Sequence, residues 1–285
     1  MPNTNTAIGD YSKEFTKRVE NSLLDIWGRL GEYRDYLVLI GGLAPRYITA
    51  PQGTLDYTLS SHCGTMDIDF GISLAIADVE KYKAISGILK DSGFDNAINE
   101  NGRKQRHSFV KGSGENSVII DFLTTKYEGP DNSLMHTVVP EISAIQTKGL
   151  GLALREPRKY TIEGENDNGE HVQEIINVCR PAAYVVLKSL AFDSRRKDKD
   201  VYDLIFVLNN YKNGVGSVVE EITNEDCQAS SFHDAMECLK RHFKGIGYVG
   251  SIAYERFVGE SNARARAFAI VQEFLDKVGK KYTNA

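Results

Sequence analysis

The chain has 285 residues, of which 41% are hydrophobic and 26% charged, with a net charge of −5. That length suits one large or two modest domains with real cores, and the composition is that of an ordinary globular protein. The acidic balance argues against a general nucleic-acid coat while leaving room for a local basic groove. Four dispersed cysteines, Cys63, Cys179, Cys227 and Cys238, form no C-x-x-C pair, so neither a zinc site nor a disulfide framework is indicated and a cytoplasmic location is expected. No apolar run approaches the roughly 18 residues of a membrane span, and the first residues lack the basic and apolar regions of a signal peptide.

In chain order, residues 10–30 read as an amphipathic helix, with Phe15, Val19, Leu23, Leu24, Trp27 and Leu30 spaced for one face. Tyr36 to Ile40 is a continuous apolar run, most simply a central strand. Gly41 and Gly42 then let the backbone turn sharply and approach a ligand. Leu43 to Ile48 follow as the start of a helix whose free N–H groups could face an anion.

Thr65-Met66-Asp67-Ile68-Asp69-Phe70 places two carboxylates on one face of a second strand, with Ile68 and Phe70 on the other. Two such carboxylates repel each other unless a cation sits between them, and hard oxygen ligands suit Mg²⁺ carried by nucleotide phosphates. Residues 105–124 read as a hairpin around a Gly/Ser/Asn turn. Its second arm, Val118-Ile119-Ile120, is expected to be buried on both faces, and then sets one charge, Asp121, between Ile120 and Phe122. Should the two strands be neighbours, Asp67, Asp69 and Asp121 form a three-carboxylate cluster able to hold two cations. Arg103-Lys104-Gln105-Arg106-His107, beside that site, is either a solvated strand end or a place for a polyanion.

Lys159–Ile162 and Val172–Val178 read as a further hairpin, with a polar turn from Glu163 to Gly169. From Arg180 the pattern is helical. Pro181 opens a helix on which Lys188 lies at the packed Tyr184/Leu187/Ala191 face, where a lysine must reach outward or meet an anion. A charge run, Ser194 to Asp200, leads into an apolar helix whose Asp200 and Asp203 suit its positive end. The last helix, around Ala263–Val278, is expected to bury Phe268, Val271, Leu275 and Val278.

Leu39-Ile40-Gly41-Gly42, Thr65-x-Asp67-Ile68-Asp69 and Ile120-Asp121 resemble the nucleotidyltransferase (DNA polymerase β-like) superfamily. Lys188-Ser189-Leu190-Ala191, Arg195 and Lys199-Asp200-Val201-Tyr202-Asp203-Leu204 resemble the lysine and R/K-D-x-x-D-L motifs of the AbiEii toxins of type IV toxin–antitoxin and abortive-infection systems. The resemblance implies an α+β fold: a mixed-sheet nucleotidyltransferase core over residues 1–178 and a helical domain over 179–285 that contributes Lys188 and Asp200 to the cleft.

It implies a metal-dependent transfer of a nucleoside monophosphate from a nucleoside triphosphate to a hydroxyl acceptor, with release of pyrophosphate. Asp67, Asp69 and Asp121 would bind Mg²⁺ or Mn²⁺. Gly41, Gly42, Thr65, Lys188 and Asp200 would bind the nucleotide, Asp200 by orienting Lys188 or Arg195. The implied acceptors are RNA such as tRNA, a protein or a small molecule such as an antibiotic, and a toxin implies an antitoxin. The chain departs from the family pattern at Leu43, where a small or hydroxyl residue is usual, and at Cys63, where an arginine is. Those departures carry an alternative reading: a fold that binds nucleotide or a partner without transfer.

Overall fold

The computed structural model describes residues 7–51, 60–73, 79–125, 135–139 and 142–283. Residues 1–6, read above for a leader, lie outside them. The chain divides into two compact units. The first comprises Tyr11–Tyr47 and Gln52–Cys179, and the second Arg180–Ala285 with short stretches ending at Asp10 and Pro51.

The first unit is built on a mixed sheet. Its strands are β1 (Leu37–Ile40), β2 (Asp67–Ile72), β3 (Asp95–Ile98), β4 (Lys104–Lys111), β5 (Val118–Thr125), β6 (Met135–Val139), β7 (Ile142–Thr147), β8 (Arg158–Glu165) and β9 (His171–Val178). The spatial order is β3-β4-β5-β2-β1-β9-β8, and β7 joins β5 beyond the point where β4 leaves it. β2 runs parallel to β5 and antiparallel to β1. The mixture of directions follows from the connections, since tight hairpins join β4 to β5 and β8 to β9 while longer excursions return β5 beside β2.

One face of this sheet is covered by α1 (Lys13–Leu30). Ser12 opens the helix by accepting a 3.0 Å hydrogen bond from the Phe15 N–H. Trp27, with no exposed surface, stacks on Phe70 at 5.8 Å between ring centroids, and Phe70 stacks on Phe122 at 6.2 Å. The Trp27 indole N–H donates to the Ile175 carbonyl at 2.7 Å, so the helix is tied to β9 as well as packed on it. Val118-Ile119-Ile120 departs from expectation. The strand alternates buried and half-buried residues, because α1 covers the Ile120/Phe122 face while the Asp121 face stays partly open.

The hairpin of β8 and β9 is longer than its sequence suggested, pairing from Arg158↔Val178 to Glu165↔His171. Asn166 closes the shortened turn, its side-chain oxygen accepting from the N–H groups of Asn168 and Glu170.

The second unit is helical throughout its described residues: α5 (Pro181–Arg195), α6 (Asp198–Asn210), α7 (Val215–Glu220), α8 (Asn224–Gln228), α9 (Ser230–His242), α10 (Val249–Val258) and α11 (Ala263–Thr283). Three further helices, α2 (Ala44–Ile48), α3 (Val79–Asp91) and α4 (Leu150–Leu154), precede β8 in the chain. The final helix buries Ala263, Ala267, Val271, Phe274 and Val278, whereas Phe268 and Leu275 are only half-buried. Two alanines take the inner stripe there because small side chains allow close helix–helix approach, and this turns the larger Phe268 toward the margin. Among the described residues no helix is long and apolar enough to cross a membrane.

Candidate active site

The sheet brings the three predicted carboxylates onto neighbouring strands. Asp69 of β2 is in register with Asp121 of β5, and Asp67 with Ile119. Residues in register on parallel strands point to the same side, so all three carboxylates share the face opposite Ile68, Phe70, Ile120 and Phe122. The alternation is visible in burial: those four apolar residues are at most 1% exposed, while Asp67, Asp69 and Asp121 are half-buried. One carboxyl oxygen of Asp121 is closed off from solvent.

Gly41, the first of the glycine pair, sits against Asp69. β1 ends opposite Asp69, through the pairing Ile40↔Asp69. Gly41 follows with φ +70°, and a Cβ there would collide with the Asp69 carboxylate. Both features demand glycine: the left-handed backbone, and the approach of the Asp69 carboxylate to the chain. Beyond it, Leu43 is fully buried and α2 is only five residues long, so its dipole adds little at an anion. The nearly buried Arg46 of α2 is committed to Glu20 of α1 by hydrogen bonds of 2.8 and 3.3 Å.

The entry to β2 is rigidly specified. His62, only 4% exposed, accepts the Gly64 N–H on Nδ1 at 3.1 Å. It is a buried turn residue. Gly64 has φ +91° and packs on Thr16 of α1 so closely that a Cβ would overlap the Thr16 hydroxyl. Thr65, almost fully buried, then donates its hydroxyl to Asp67 Oδ1. Thr65 therefore sets the Asp67 carboxylate in place. Cys63 is half-buried, with Sγ 3.6 Å from the Gly64 carbonyl.

The hard oxygen donors of Asp67, Asp69 and Asp121 and the Cβ-free wall at Gly41 fit a divalent cation carrying a triphosphate. Among the described residues, no three His, Cys, Asp or Glu side chains stand gathered as a metal-ligand group. The backbones are thus in register for such a site, without a closed ligand cage.

Lys188 and Asp200 lie in the second unit, in a network of five charges. Lys188 Nζ is 3.1 Å from Asp200 Oδ1 and 2.7 Å from Asp203 Oδ2. Lys199 reaches both oxygens of Asp203 at 2.9 and 3.1 Å, and the Arg195 guanidinium grips Asp200 at 2.7 and 2.6 Å. Lys188, Asp200, Asp203 and Lys199 are all at least 94% buried, whereas the Arg195 side chain is 56% exposed.

Burial alone would discharge Lys188, but Asp203 and Asp200 outweigh it and hold the ammonium above its usual range. Burial likewise disfavours the Asp200 carboxylate, and Lys188 with Arg195 reverses the effect and lowers its pKa. Asp200 thus contacts both cations it was expected to orient. Asp203, read as a helix-start acid, instead lies beyond the first turn and binds two lysines. Lys199 was missed as a member; its i,i+4 spacing to Asp203 was the available signal.

The model of a nucleotidyltransferase family matches residues 20–203, more than half of the chain, from within α1 to Asp203. No curated protein matches the chain. With the strand-borne carboxylates and the glycine turn inside the matched span, the chain belongs to the nucleotidyltransferase family.

Proposed function

We propose that the protein transfers a nucleoside monophosphate from a nucleoside triphosphate to a hydroxyl acceptor, as an AbiEii-type toxin acting in the cytoplasm on RNA or protein. The observation carrying this is the register Asp69↔Asp121 beside the Gly41 turn, inside the span that matches the family. Asp67 and Asp69 would hold Mg²⁺ or Mn²⁺ with the triphosphate, and Asp121 would share a second cation. Bound cations would offset triphosphate charge and acidify the attacking hydroxyl.

Gly41 and Gly42 let the phosphates lie against the backbone. Thr65 fixes Asp67, and Asp121 takes the proton as the acceptor oxygen attacks the α-phosphorus. A new O–P bond forms, the bond from the α-phosphorus to its bridging oxygen breaks, and pyrophosphate leaves with the electron pair. By the resemblance alone, Lys188 and Asp200 would be the pair assigned to a nucleotide's charge. Rate enhancement comes from in-line positioning and charge stabilisation. An antitoxin would be the cellular partner of such an enzyme.

The test is label transfer from each α-labelled triphosphate, with Mg²⁺ or Mn²⁺, to RNA, protein and small-alcohol acceptors. Asp67→Asn should lower transfer by at least about 100-fold with an unchanged thermal melt; retained transfer in that variant would overturn the assignment. A second reading is favoured by the buried Leu43, which leaves no hydroxyl after the double glycine to meet a terminal phosphate. It is a module that binds nucleotide without transfer, marked by Mg²⁺-dependent triphosphate binding with no pyrophosphate released.

A further inference from the structure

The carboxylates of β2 are not held equally. Asp69 lies inside the ladder, paired with Ile40 of β1 on one side and with Asp121 of β5 on the other. Asp67 opens the strand and is in register with Ile119 of β5, whereas the pairing with β1 ends at Asp69. The residues just ahead of Asp67 belong to no strand. The placement of Asp67 therefore depends on the turn that precedes it.

That turn is built on side chains. His62, only 4% exposed, accepts the Gly64 N–H on Nδ1 at 3.1 Å, and its own N–H donates to the Ser60 hydroxyl at 3.3 Å. Gly64, at φ +91°, is pressed against Thr16 of α1 with no room for a Cβ. Thr16 in turn donates its hydroxyl to the Ser12 carbonyl at 3.1 Å, so the wall behind Gly64 belongs to the first turn of α1. Thr65 follows, almost fully buried, and its hydroxyl donates to Asp67 Oδ1.

Bulk does not account for a histidine at this place. Leucine fills comparable space, but it leaves the buried Gly64 N–H without an acceptor, which is costly. What the imidazole adds is a lone pair on Nδ1, one bond beyond Cγ, within reach of the N–H two residues on. Asparagine carries Oδ1 at the same place and closes Asx turns in the same way.

We propose that His62 is a positioning residue of the metal site: by holding the Gly64 N–H it sets the turn against α1, and the turn aims the Thr65 hydroxyl that orients Asp67. The inference rests on the reading of Asp67 as a cation ligand. Partners one step behind a ligand typically change metal affinity by about 10- to 100-fold.

The experiment measures Mn²⁺ binding to the full-length protein by electron paramagnetic resonance, beside a thermal melt and amide hydrogen exchange at Gly64. His62→Leu should weaken Mn²⁺ binding by about tenfold or more and speed exchange at Gly64. His62→Asn should bind Mn²⁺ close to wild type and keep Gly64 protected, yet melt below His62→Leu because its smaller side chain leaves space unfilled. The two variants thus rank in opposite orders for metal and for melting, which packing alone does not produce. Thr65→Val should lose Mn²⁺ affinity as His62→Leu does. The double variant should bind no more weakly than Thr65→Val alone, since both changes act through one hydroxyl.

Additive losses in the double variant, or one common order for metal and melting, would overturn the positioning role. Rapid exchange at Gly64 in the wild-type protein would refute the turn itself. Equal Mn²⁺ binding by the wild-type and Asp67→Asn proteins would instead overturn the reading of Asp67 as a ligand.

Discussion

Two groups of carboxylates in this protein have opposite surroundings. Asp67, Asp69 and Asp121 stand half-buried on a sheet face, positioned by strand register, a threonine hydroxyl and a glycine turn. Asp200 and Asp203 are at most 1% exposed, between helices that bring Lys188, Lys199 and Arg195 to them. The difference follows from solvation. A buried carboxylate must meet its cation within the protein, because desolvation is otherwise prohibitive, whereas a partly exposed one keeps enough water to exchange for an external ion. The sheet carboxylates are therefore suited to turnover, and the helical ones to holding α5 against α6.

The largest expected effect tests the second half of that contrast. Asp203→Ala leaves Lys188 and Lys199 buried around one missing carboxylate and should cost about 3–5 kcal/mol of stability, read by urea denaturation. A loss within experimental error would show that the network relaxes around the change.

Gly41→Ala tests the first half. It forces a Cβ into the Asp69 carboxylate at φ +70°, so strain of about 1–3 kcal/mol is expected. Transfer should fall by more than the stability loss explains, because Asp69 itself is displaced. Normal turnover would separate Asp69 from the chemistry.

A smaller effect comes from acid. Burial disfavours the charged Asp200 and Asp226, yet Lys188 and Arg195 in one case, and Arg180 in the other, hold both pKa values below the usual carboxylate range. Burial acts the same way on Asp193, where hydrogen bonds from His242 and Arg241 prevail and bring it to about 2. A depressed carboxylate stabilises the fold above its unfolded pKa of about 3.9 and loses that contribution as pH falls through the folded value. Melting temperature should therefore decline from about pH 4 downward. Lys188, raised, keeps its contribution through neutral pH and loses it only above the ordinary lysine range. A melt flat between pH 4 and 2 would break this account.

Much of the site could be read from local spacing. Asp67 and Asp69 share a face because strand side chains alternate, and Gly41 follows an apolar run that reads most simply as a central strand. The hairpin that presents Asp121 was marked by its Gly/Ser/Asn turn. The parts that escaped reading depended on distant contacts. The burial of His62 comes from tertiary packing and its hydrogen bond from a turn that no composition announces. Phe268 fits a helical stripe as well as Phe274 does, and the neighbouring helices select between them.

What local chemistry determined by itself is which side chains travel together: the D-x-D pair on one strand face, the glycines at a strand end, Lys199 with Asp203 one helical turn apart. What the tertiary structure alone decided is which strands and helices become neighbours. That choice sets Asp121 beside Asp69 and Ser108 beside Asp121, and closes Lys188 between two aspartates. The reason is range: alternation and helical periodicity act over two to four residues, whereas these pairings join segments 12 to more than 50 residues apart and are fixed only when the whole core packs.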